Sequence, residues 1–118
     1  AKALTAAGIP TAVIQARFVK PLDEELFLSM INGVKALVTV EENAVVGGFG
    51  AAVVELLQEH GTLPKKVRRL GLPDRFIPHG DRDEVLRSLG LDETGIVQAA
   101  RRLVAQPETV GLRVISRK

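Results

Sequence analysis

The run Leu37-Val38-Thr39-Val40-Glu41-Glu42-Asn43-Ala44-Val45-Val46-Gly47-Gly48-Phe49-Gly50 restricts the folds open to this chain more than any other part of it. Ala36 to Val40 reads as an apolar strand covered by helices on both faces. Two carboxylates end it and a glycine turn follows. From Phe49 the apolar positions then recur at three- and four-residue steps, as on a helix. Strand, loop and helix make one unit of an α/β sheet. Open α/β sheets gather their sites in the loops at the carboxyl ends of strands, which places Glu41 and Glu42 on a candidate functional edge.

The rest of the chain extends that pattern. Thr11 to Phe18, between Pro10 and Pro21, is β-branched and apolar-leaning and predicts a strand that Pro21 terminates. A helix from Asp23 follows. Its apolar stripe is Leu22, Leu26, Phe27, Met30, Ile31 and Val34, Asp23, Glu24 and Glu25 lie at its positive end, and Asn32-Gly33 ends it. The second long helix runs from about Phe49 to His60, with Phe49, Ala52, Val53, Leu56, Leu57 and His60 on one stripe and Gly61 as its stop. Lys66 to Leu72 gives a third strand. Gly71 to Asp81, rich in proline and glycine, reads as an ordered loop. Asp81, with Glu84 three residues on, starts a short helix through Leu89. Asp92 caps another, striped by Ile96, Ala99, Ala100, Leu103 and Val104, and Leu112 to Ile115 reads as a short terminal strand. Three strands alternating with helices imply right-handed crossovers and a parallel sheet with helices on both faces.

Ala1 to Gly8 reads as the last turns of a helix closed by Gly8, with Pro10 beyond. A helix already under way at residue 1 predicts that the chain is a piece of a longer protein.

Composition narrows the function classes. A chain of 118 residues, 46% hydrophobic and 25% charged, has the balance of one globular domain able to bury a core. Without cysteine there is neither a disulfide framework nor a thiolate metal site, an intracellular setting is permitted, and the expected location is the cytoplasm. Two distant histidines offer little to a metal. The net charge is +2, yet the basic residues are scattered and the four aromatic residues are all Phe, which argues against a nucleic-acid platform. No apolar run approaches the ~20 residues of a membrane-spanning helix.

The residues able to carry chemistry each have a plainer reading. Gly48-Phe49-Gly50 resembles a dinucleotide fingerprint, whose glycines bring a pyrophosphate to a helix N-terminus. Its third position is the bulky Val53, and the carboxylates just upstream would repel a phosphate. The plainer reading is a turn. Glu41 and Glu42 have the makings of a general acid and base, but neighbours on an extended chain point to opposite sides. Separate duties are therefore expected, one carboxylate held in a hydrogen-bonded or ion-paired interface and the other at a solvent edge. Asn43 suits a turn or cap, and His60 a helix end. His79, in the loop with Arg75, Asp81 and Arg82, reads as a hydrogen-bonding or interface residue. No nucleophile motif is present.

In the order Ala16-Arg17-Phe18-Val19-Lys20-Pro21-Leu22-Asp23, then Leu37 to Asn43 with Gly47 to Gly50, then Gly71-Leu72-Pro73-Asp74 and Ile77-Pro78-His79-Gly80, the motifs closely resemble the C-terminal domain of the 1-deoxy-D-xylulose-5-phosphate synthase family of transketolase-like enzymes. The likeness covers about residues 1–104. Transketolases and the β subunits of 2-oxo-acid dehydrogenases share the strand, Glu-Glu and glycine element. The Phe76 to Gly80 loop followed by Leu89-Gly90-Leu91-Asp92 favours the synthase.

The resemblance implies an α/β fold of three layers, α/β/α, with a mostly parallel sheet and the first edge strand missing. It implies a parent enzyme that uses thiamine diphosphate and Mg2+ to join the two-carbon unit of decarboxylated pyruvate to glyceraldehyde 3-phosphate, feeding isoprenoid, thiamine and pyridoxal synthesis. Residues 1–104 would be the packing domain of a homodimer, partnered by the parent's remaining domains, with neither nucleic acid nor membrane. No catalytic, cofactor-binding or metal-ligating residue carries over, and the chain alone is expected to bind no cofactor. Glu41, Glu42, Asn43, Arg75, His79 and Arg82 are the expected interface residues, with Arg75 and Arg82 offsetting the carboxylates. Residues 105–118 match no pattern. The competing reading is an autonomous α/β module that binds a nucleotide or a protein through the Gly47 to Gly50 loop.

Overall fold

The computed structural model describes residues 1–108 and 115–117. Seven elements follow in order: α1 (Lys2–Ala6), α2 (Glu24–Ile31), β1 (Ala36–Ala44), α3 (Phe49–Glu59), β2 (Lys66–Leu72), α4 (Arg82–Ser88) and α5 (Glu93–Ala105). The helix starts follow their caps. The side chain of Asp23 accepts from the Leu26 N–H, that of Asp81 from the Asp83 and Glu84 N–H groups, and that of Asp92 from the Gly95 N–H, each satisfying donors that a first turn leaves free.

β1 and β2 are parallel, joined by the crossover through α3, and form the sheet among the described residues. Two helix pairs, α2 with α3 and α1 with α5, complete an α/β domain; α3 and α5 both pack on the sheet. The main core joins Phe27 and Ile31 of α2 to Val53, Leu56 and Leu57 of α3, with Ile14, Leu22, Leu28, Leu37, Phe49 and Leu63 packed around it. Leu4, Leu91, Ala100 and Leu103 are also buried, in or beside α1 and α5.

Several expectations are corrected. Thr11 to Phe18 forms no ladder, so the described sheet has two strands rather than three. The segment rests on the core through Ile14 while Val13 and Phe18 stay largely exposed. Strand-like composition therefore did not supply a hydrogen-bonded neighbour. In α2 the buried side is narrower than the stripe: Phe27 and Ile31 are inside and Leu28 packs against them, whereas Leu26 and Met30, with Val34 beyond, are each about 40% exposed. Val40 and Val104 are exposed to a similar degree, so β1 is not sealed on both faces. The expected terminal strand falls largely on residues 112–114, outside the described residues, and Ile115 is exposed.

β1 also runs four residues past its expected end, carrying both carboxylates inside the strand. Its register is even from Ala36↔Lys66 to Val40↔Leu70 and resumes at Ala44↔Leu72, so β1 takes four steps where β2 takes two. The surplus is a bulge holding Glu41, Glu42 and Asn43, a device that re-aims side chains near a strand end.

Candidate functional site at the carboxyl rim of the sheet

Through the bulge, Thr39 and Glu41 keep to the buried side and Val40 and Glu42 to the exposed side. Glu41 thereby faces the start of α3. Its Oε2 accepts from the Phe49 N–H at 2.7 Å and its Oε1 from the Gly50 N–H at 3.0 Å. The N-cap residue Gly48 has no side chain to cap α3, and no acidic residue lies in the first turn. A carboxylate supplied by the strand does that work, with its charge at the positive end of the helix. Space for it comes from missing side chains: a Cβ on Gly48 would overlap the Glu41 carboxylate and the Ala44 carbonyl oxygen, and a Cβ on Gly71 would lie 2.9 Å from Glu41 Cγ. Gly50 lies similarly against Thr39, whose buried hydroxyl has no hydrogen-bond partner among the described residues.

Glu42 leaves the opposite side of the strand and meets Arg82 in a two-point ion pair, Nη2 to Oε1 at 2.5 Å and Nε to Oε2 at 3.2 Å. Arg82 also donates to Asp83 at 3.3 Å. Hydrogen bonding to Glu42, then its charge, with a smaller part from Asp83, holds the Arg82 guanidinium above its usual range. The pair links the end of β1 to the first residue of α4 by a two-point contact at the solvent edge, where water screens it.

Of the expected interface residues, the structure brings Glu42, His79 and Arg82 to one open depression of about 360 Å3, whose apolar lining is Leu72, Ile77, Pro78, Val85 and Leu86. Asn43 is an exposed turn residue whose Oδ1 accepts from the Ala44 N–H at 2.8 Å. The Arg75 side chain is exposed and pairs with no carboxylate among the described residues. His60 closes α3 at its C-terminal end, its Nε2 3.9 Å from Glu24. Sequence reasoning missed Thr39, which strand alternation from Glu41 would have found, and Arg69, whose Nη1 donates to the Val45 carbonyl at 3.1 Å and for which the sequence carries no signal.

Chemically, the rim has little to offer a cofactor. The Phe49 and Gly50 N–H groups that a phosphate would use are already bonded to Glu41, which fills the anion position of the glycine turn from within. Glu42 is engaged by Arg82, and among the described residues no three His, Asp or Glu side chains converge as metal ligands. Among the described residues the rim thus presents no open anion position and no metal-ligand cluster of the kind that thiamine diphosphate with Mg2+ would need. At the other end of the core, a groove of about 700 Å3 lies between the end of α2 and the Gly61 to Lys65 segment. Two helices end there, and Lys35 and Lys65 suit the negative ends of their dipoles. Lys65 also holds Glu108 at 3.1 Å. Among the described residues no helix is long and apolar enough to cross a membrane.

Fold and rim together define an α/β domain whose rim carboxylates are engaged within the domain, Glu41 bracing α3 and Glu42 pairing with Arg82 of α4. The chain belongs to the family described as "Transketolase, C-terminal domain", which matches residues 1–96. It is 46% identical over 112 residues to 1-deoxy-D-xylulose-5-phosphate synthase of Halothermothrix orenii, covering 95% of this chain and 18% of that protein. Against the synthase of Bordetella parapertussis it is 56% identical over 101 residues, covering 84% of this chain and 16% of the relative. Among solved structures it is similar to a split-gene transketolase described as an inactive β4 tetramer, with a TM-score of 0.77 and 34% identity over 87% of this chain and 33% of that one. The chain therefore spans less than a fifth of the length of these synthases.

Proposed function

We propose that this chain is the packing and assembly domain of a thiamine-diphosphate-dependent 1-deoxy-D-xylulose-5-phosphate synthase, an enzyme that condenses pyruvate with glyceraldehyde 3-phosphate and releases CO2. The reaction chemistry belongs to parts of the polypeptide outside these residues, which hold thiamine diphosphate and Mg2+. The working form is a cytoplasmic homodimer, and the domain supplies part of the surface on which it assembles.

Two lines support this reading. The relatives that match most of this chain are named as synthases of that reaction. The single structural observation that carries the assignment of role is the commitment of both rim carboxylates, Glu41 to the α3 amides and Glu42 to Arg82, which leaves neither free to act on a substrate. His79, exposed at the same rim, is a contact residue.

The test is made in the intact enzyme, measuring turnover and dimer dissociation for Glu42→Ala and His79→Ala. Any loss of activity is expected to follow weakened assembly and to be recovered by raising the protein concentration. A variant that stays fully dimeric and folded yet loses turnover about a thousandfold, some 4 kcal/mol of transition-state stabilisation, refutes the assignment.

A further inference from the structure

Phe76 is the most exposed large apolar side chain in the described part of the chain, at 90%. It stands in the loop between β2 and α4, and that loop is held at both ends. At one end the Leu72 carbonyl accepts from the Val45 N–H at 2.9 Å; at the other, Asp81 caps α4 and Arg82 is clasped by Glu42. An aromatic ring presented on a pinned loop gives up little freedom on docking, the property that makes aromatic residues effective anchors.

Directly beside the knob is a hole. Ile77 and Pro78, the next two residues, line the 360 Å3 depression with Leu72, Val85 and Leu86. That volume lies at the lower end of the range for sites that enclose compact ligands, and a phenylalanine ring buries roughly 150–250 Å2 when it enters such a place. Arg82 forms part of the wall, its guanidinium held there by Glu42. Phe76 cannot fill its neighbouring hollow itself: it is 90% exposed while Ile77, one residue on, turns inward.

A protruding anchor beside an apolar hollow on one edge of one molecule permits a two-fold contact, in which each copy gives its knob to the other's hole. The flanking charges fit the same pattern. Asp74 and Arg75 are both exposed, and Arg75 pairs with no carboxylate among the described residues, so the edge presents both signs to a copy of itself.

We infer that the rim is an isologous contact in which Phe76 of each copy inserts into the depression formed by Ile77, Pro78, Val85 and Leu86 of a second copy. This deepens the homodimer reading above and rests on it. The Glu42–Arg82 clasp, on this view, shapes the receptor as well as bracing α4.

The experiment uses the intact protein carrying these residues. Sedimentation equilibrium is expected to show that Phe76→Ala, a substitution at a solvent-exposed position that leaves the fold intact, raises the dimer dissociation constant at least about 100-fold, since one change removes an anchor from both halves of the contact. In a background free of other cysteines, oxidation of an equimolar mixture of Phe76→Cys and Val85→Cys is expected to join one variant to the other. A parent protein that is monomeric overturns the homodimer reading and this inference together. A dimer that survives Phe76→Ala undiminished and gives no crosslink overturns this inference alone. Footprinting that finds Phe76 shielded in a monomer by the rest of its own polypeptide overturns it as well.

Discussion

Replacing Glu41 tests the central claim about this rim, that a strand carboxylate is the working N-cap of α3. Glu41→Ala leaves two donors without acceptors. The bond to Gly50 is buried, so its N–H cannot turn to water, and stranding a buried donor costs about 1–3 kcal/mol. The bond to Phe49 is partly exposed; water can replace it, and the loss is nearer the ordinary cap value of about 1 kcal/mol. Removing the charge from the positive helix end is already counted in part in these two figures. The combined expectation is about 2–4 kcal/mol. At about 4 °C per kcal/mol for a domain of this size, the melting temperature falls by about 8–16 °C. Glu41→Gln keeps one acceptor oxygen but turns an amide N–H towards the other donor, so about half that loss is expected. The discriminating assay is hydrogen exchange in the intact protein, read on peptides covering residues 45–55, because the cap loosens the first turn of α3 before it loosens the core. Glu41→Ala with unchanged exchange there and a melting temperature within about 2 °C of the parent would refute the cap and return Glu41 to the pool of residues awaiting a function.

Two further predictions concern neighbouring groups. Thr39→Val removes a buried hydroxyl that has no partner among the described residues while keeping the shape of the side chain, and is expected to stabilise the domain by about 1 kcal/mol in urea titrations; a clear destabilisation would mean that the hydroxyl is satisfied in solution. Glu108 is held below the usual carboxylate range, first by its hydrogen bond from Lys65 and then by the charges of Lys65, Lys66 and Lys35. Because its folded value is depressed, its contribution to stability is present above the ordinary Glu range and is lost as the pH falls through the folded value. Lys65→Met should move the Glu108 carboxyl titration, followed by carbon NMR, back up towards the ordinary range, and a titration that stays put would dissolve the pair.

What the sequence disclosed depended on whether the information was local. Helix starts were legible because Asp23, Asp81 and Asp92 each serve N–H groups two or three residues away, and β2 was legible as the short run left between the Gly61 stop of α3 and the proline- and glycine-rich loop that begins at Gly71. The Thr11 to Phe18 strand failed for the opposite reason. Its composition is right, but a strand is completed by a ladder partner, and nothing within the segment supplies one. The site divides along the same line. Opposite orientations of Glu41 and Glu42 follow from strand geometry alone, and the structure keeps them, one buried and one exposed. Their partners do not follow. The α3 amides lie eight and nine residues on from Glu41, across a turn whose shape depends on a two-residue bulge, and Arg82 lies forty residues from Glu42.

That distinction also explains why the glycine turn resembles a nucleotide site although its first helix amides are bonded to Glu41. A phosphate loop and this turn make the same demand on sequence, since both need glycines where an anion approaches the first amides of a helix. They differ only in whether the anion arrives from solution or from the strand itself. Here Gly48 gives room to the Glu41 carboxylate, Gly71 gives room to its stem, and the helix is capped by a charge that cannot diffuse away. A residue that made the nucleotide reading unattractive, as a charge that would repel phosphate, is the one that takes the phosphate's place.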